Sequence, residues 1–175
     1  AYFTVILTCA VSHTLPPEEI MLNSIIAKAR ESMSTLKNDA MKFKNDSFLN
    51  AAMAASAMIT VADGTISREE KQKAIAFVQS HDALKIFDTA DVAKRFKNYL
   101  DALDADNPDT DVDIAEITAM SDIGKVRKNP DQARMVVRLA IAIGGADGDF
   151  DATEQAQAAK IARELGLDPA EFGLK

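Results

Sequence analysis

Asp147, Asp149 and Asp151 stand at alternate positions in "GADGDFDATE", and Glu154 follows one helical turn later. Four carboxylates within eight residues repel one another unless a cation or solvent screens them. The D-x-D-x-D spacing is that of the first half of a calcium loop, where alternate side chains point at one centre. The match then stops. The sixth position is Ala152 rather than Gly and the twelfth is Ala158 rather than Glu, so this is not an EF-hand. A different oxygen site closed by Glu154 is one reading. Plain helix capping is the other: Asp151 suits an N-cap and Glu154 the N3 position of a capping box.

The same pattern occurs once more. "MITVADGTISREEKQKAIAFV" aligns with "IAIGGADGDFDATEQAQAAKIA" at a constant offset of 84. Asp63 then matches Asp147, Ser67 matches Asp151 and Glu70 matches Glu154. Each copy predicts an apolar helix, a tight acidic turn and an amphipathic helix. Gly64 and Gly148 suit the positive φ that ends the first helix, and Ile66 and Phe150 can staple onto the second. Ser67 with Glu70 is a capping box in its own right. If a pseudo-twofold axis relates the copies, Asp63 and Glu69 or Glu70 face the same centre as the second turn.

The remaining elements must hold these turns in place. "SFLNAAMAASAMITVA" (47–62) has no charge and predicts a buried helix. Further helices are predicted over 22–45, 67–80, 89–103, 111–124, 131–145 and 151–165, with a short last turn near "DPAEF". The fold class is all-α: a bundle of about seven helices built from two related helix-hairpin halves. His81 helps to end the helix before it.

Composition narrows the function. The 175 residues are 47% hydrophobic and 27% charged, which suits one globular domain. A net charge of -7 argues against nonspecific nucleic-acid binding. One Cys and two His cannot build a Cys/His zinc site, so any metal is held by oxygen, as calcium, magnesium or manganese are. No nucleophile–His spacing, phosphate-cradling Gly loop or HExxH marks an enzyme, and neither an organic cofactor nor a small-molecule substrate is indicated.

Two other stretches stand out. Residues 101–116, "DALDADNPDTDVDIAE", hold seven carboxylates and no base. They read as a solvated loop, with Asp109 or Thr110 capping the next helix. The alternative is a docking surface for a basic partner through Asp104, Asp106, Asp109, Asp111 and Asp113. Residues 21–46 carry five Lys/Arg against three carboxylates. They form a basic amphipathic segment that either completes the core or lies on an anionic membrane surface. Residues 1–20 differ from the rest. Glu18-Glu19-Ile20-Met21 can be written GAG-GAA-ATT-ATG, a ribosome-binding site and a start codon. Met21 is therefore expected to be the natural start, with 1–20 an upstream extension or cloning artefact and 21–175 a single helical domain.

The doubled "ADGTISREEKQ" and "ADGDFDATEQ", "LKIFDTADV" between them and the ending "IARELGLDPAEFGL" resemble the tellurite-resistance TerB family over roughly Met21 to Leu174. The resemblance implies an all-helical, cytoplasmic protein associated with membrane-bound tellurite-resistance partners at the inner face. It also implies a cation site in the acidic turns, which falls here on Asp63, Glu70, Asp147, Asp149, Asp151 and Glu154. The first turn has Thr65 and Ser67 where the second has Asp149 and Asp151, so a separate first site would be weaker. Tellurite chemistry runs through thiols, and the chain after Met21 has none. A reductase is therefore disfavoured against a sensor, scaffold or adaptor in a stress-response complex. A pure interaction scaffold whose acidic turns are only caps is the competing expectation.

Overall fold

The computed structural model describes residues 43–148 and 150–175. Among them lie six α-helices and no strand. These are α1 (Asp46–Thr60), α2 (Arg68–Ser80), α3 (Thr89–Leu103), α4 (Val112–Gly124), α5 (Pro130–Gly144) and α6 (Ala152–Glu164), with a last 3₁₀ turn at Pro169–Phe172. The expected helix over 22–45, the basic segment and the extension at 1–20 lie outside the described residues. The six helices start and stop within two residues of the positions read from the sequence.

The uncharged run folds as expected. Asn45 caps α1 by accepting from Phe48 N at 2.9 Å, and every residue from Phe48 to Ile59 except Asn50 is buried. Alanine gives α1 both helix propensity and a thin profile, so neighbours pack on all sides of it. Its largest interface is with α5, and α3, α4 and α6 complete the wrapping. The one buried hydroxyl among the described residues, Ser56, donates to Ala52 O at 2.7 Å, so it enters the core satisfied.

Helix α5 begins with Pro130 at its first turn and an Asn129 cap. It buries an unbroken run from Leu139 to Gly144. Helix α3 buries Val92, Phe96 and Leu100 at every fourth position, the signature of one apolar stripe. Adding 84 to the bounds of α1 and α2 gives the bounds of α5 and α6. The C-terminal ends of α1 and α5 meet, and this carries the two acidic turns to the same end of the molecule.

Candidate functional site

The first turn is built by tightening. As α1 ends, Val61 N donates to Ala57 O, Ala62 N to Ile59 O and Gly64 N to Val61 O. Gly64 at φ 97° then reverses the chain. Asp63 Oδ1 accepts from Thr65 N at 3.2 Å, which closes a small turn beyond the helix. Ile66 is buried, and the capping box follows as expected. Ser67 Oγ accepts from Glu70 N at 3.2 Å, and Ser67 N donates to Glu70 Oε2 at 2.9 Å. The hydrogen bonds to Ser67 hold the Glu70 carboxyl below its ordinary pKa, and the Lys73 ammonium adds to this.

The second turn repeats this construction with one more carboxylate. A 3₁₀ turn at Gly145–Asp147 leads to Gly148 at φ 95°, and Phe150 is fully buried. Asp151 Oδ1 accepts from Thr153 N at 2.7 Å and from Glu154 N at 2.8 Å, while Asp151 N donates to Glu154 Oε2 at 2.9 Å. Gln155 Nε2 donates to Phe150 O at 2.9 Å and steadies the entry to α6. The capping expectation therefore holds for Ser67, Glu70, Asp151 and Glu154. Asp149 lies outside the described residues, and only the backbone of Asp147 is described.

Both turns open on one cleft of about 530 Å³. Asp63 and Glu70 line it from the first turn and Asp151 and Glu154 from the second. Its apolar wall includes Ile66, Ala74, Phe77 and Ile143, and among the described residues Lys73 is its one basic residue. Among the described residues, however, no three Asp, Glu, His or Cys side chains come together closely enough to hold a metal ion. The recorded backbone amide bonds of Asp63 and Asp151 all fall on Oδ1.

The acidic 101–116 stretch is more structural than its composition suggests. Asp104 is buried and accepts from Lys71 Nζ at 3.3 Å, and Asp101 accepts from the same ammonium at 2.8 Å. Burial alone would lower the Lys71 pKa, but these two carboxylates raise it. Asp111, rather than Asp109 or Thr110, caps α4 by accepting from Ile114 N at 3.2 Å. Asn107 makes this possible. Its side chain donates to Asp101 O and accepts from Asp109 N, which carries the loop two residues further before the helix starts. Asp106, Asp109 and Asp113 are exposed. Lys71 is the organising residue that the sequence did not reveal, because its partners are thirty or more positions away.

An all-helical domain with two acidic turns, each closed by a capping box, over one cleft is the class these features define. The family described as tellurite resistance protein TerB matches residues 49–175, and the chain belongs to that family. A curated relative, "Tellurium resistance protein TerB" from an Alcaligenes species, is 34% identical over 100 residues, covering 57% of this chain and 78% of the relative. No solved structure matches. Among the described residues no helix is long and apolar enough to cross a membrane.

Proposed function

We propose that this chain is a non-enzymatic component of a tellurite-resistance system that binds a hard divalent cation between its acidic turns. As an adaptor or sensor, it relays that occupancy to membrane-associated partners. The observation that carries this reading is the shared cleft: carboxylates 84 positions apart line the same cavity. The matching bounds of the two hairpins support a duplicated unit whose second copy has gained acid. Asp63 and Asp151 keep Oδ2 clear of their amide bonds. Such a donor set suits a cation that retains part of its water shell, as magnesium does, with Asp147 and Asp149 as further ligands.

The competing reading is a pure interaction scaffold. It is favoured by the complete capping boxes and by the lack of a three-ligand cluster among the described residues. Isosteric variants separate the two. Asp151→Asn and Glu154→Gln keep a capping box but remove charge, as do Asp147→Asn and Asp149→Asn for the loop. Calcium, magnesium and manganese are titrated by calorimetry and thermal melting. The cation reading expects stabilisation of about 2.7 kcal/mol at one hundred times Kd, lost in the isosteric set. Equal melting of wild type and variants with each metal, no different from a monovalent salt control, leaves the scaffold reading.

A further inference from the structure

The cleft is larger than an ion alone needs, and it combines polar and apolar walls. A partly hydrated cation needs a few water-sized volumes of about 30 Å³ each, against about 530 Å³ here. Much of the wall is carbon, from Ile66, Ala74, Phe77 and Ile143. Among the described residues, four carboxylates and one ammonium give that wall three net negative charges. An occupant must therefore be positive at one part and apolar at another. Lysine and arginine side chains combine an alkyl stem with a charged head in this way.

We infer that the cleft is a docking groove for a basic, apolar segment of a partner protein. The partner's Lys or Arg stem lies along Phe77 and Ile66, and its charged head lies among Asp63, Glu70, Asp151 and Glu154. The inference rests on the reading of the cleft as a binding site, and it adds the occupant's chemistry. Lys73 is exposed at the rim of the groove, so it sets the groove's selectivity by repelling part of the incoming charge. A divalent cation in the same groove competes with the docked segment, because both need the same carboxylates.

The test uses the full chain and a fluorescein-labelled 14-residue helical peptide of leucine and lysine, followed by fluorescence anisotropy. Binding is expected to weaken at least tenfold with Phe77→Ala and several-fold when salt is raised from 50 to 300 mM, and to tighten with Lys73→Glu. Lys73 is exposed and lies outside the core, so the effect of Lys73→Glu is readable even if Phe77→Ala folds poorly. Magnesium titration of Phe77→Ala should match wild type. In the wild-type chain, absence of peptide binding with intact magnesium binding overturns the groove but not the cation site, and peptide binding without magnesium binding overturns the cation site alone. Binding indifferent to both Phe77→Ala and Lys73→Glu, or a concentration-dependent dimer that excludes the peptide, overturns the proposal.

Discussion

Gly144 and Ile59 are in direct apposition: a methyl group on Gly144 would sit 2.4 Å from Ile59 Cγ2. Gly144 has ordinary helical dihedrals, φ -57° and ψ -49°, so its backbone does not need glycine. The contact does. Ile59 is fully buried one residue before the end of α1, and Gly144 ends α5. Their approach clamps the exits of the two core helices together, so the two acidic turns emerge over one cleft.

Gly144→Ala is therefore expected to destabilise the fold. Alanine gains about 1 kcal/mol of helix propensity over glycine, but overpacking a rigid core costs about 1–3 kcal/mol. A net loss of up to about 2 kcal/mol, or as much as several degrees in Tm, should appear in thermal melts. Adding Ile59→Ala removes the opposing Cγ2, so the double variant should lose less than the sum of the singles. Gly124→Ala, where an added methyl meets nothing within 4 Å, serves as the clash-free control and should not destabilise the fold.

The capping boxes give a second prediction. Ser67→Ala and Asp151→Ala each remove an N-cap acceptor and should each cost about 1 kcal/mol in urea melts. Asp151→Asn should cost little, because asparagine caps as well as aspartate. Asp151→Ala should be the more costly of the two alanine variants, since Asp151 Oδ1 serves two amides and Ser67 Oγ one.

Lys71 supplies a third. It bridges α2 to Asp101 in α3 and to Asp104 just beyond it, and its side chain is only 19% exposed. Lys71→Met keeps the stem but strands the buried Asp104, at an expected cost of about 1–2 kcal/mol near neutral pH. Burial works to raise the Asp101 pKa, but Lys71 and Lys97 hold it below its ordinary value. A carboxylate with a depressed folded pKa contributes stability above its unfolded pKa of 3.8 and loses it as pH falls through the folded value. The gap between wild type and Lys71→Met should therefore be full at pH 6 and shrink below pH 4. A gap that stays constant down to pH 2.5 would show that Lys71 acts only through packing.

Helix positions and caps were legible because each rests on local chemistry. The uncharged 47–62 run, Ser67 with Glu70 and Gly64 at a helix end all declare themselves within a few residues. Long-range pairing was not legible. "DALDADNPDTDVDIAE" contains no base, and nothing in it indicates that a lysine thirty residues earlier draws Asp104 inward. Nor does "IGGADG" distinguish Gly144, needed for close packing, from Gly148, needed for positive φ. The shared cleft was an expectation drawn from internal repetition. It depends on α1 and α5 packing end to end, which repetition suggests and only coordinates describe.

His81 provides a prediction in the physiological pH range. Its ring lies against Phe77, with centroids 5.4 Å apart, and its Nδ1 accepts from Ala83 N at 3.3 Å, joining the end of α2 to the next 3₁₀ turn. Burial lowers its pKa from 6.5 to about 4, partly opposed by Asp82. The neutral form is thus the folded form, and protonation would also convert the Nδ1 acceptor into a donor facing an N–H. A base whose folded pKa is depressed stabilises the fold above its unfolded pKa and loses that contribution as pH falls from about 6.5 towards 4. Because the ring is partly exposed, the loss should reach no more than about 2 kcal/mol. His81→Asn keeps an acceptor for Ala83 N but does not titrate. Urea melts at pH 7.0 and 5.0 should show a larger fall in stability for wild type than for His81→Asn. The interval lies above the ordinary carboxylate range, so the difference reports the imidazole. Equal falls in the two proteins would mean that the ring is protonated in place without cost.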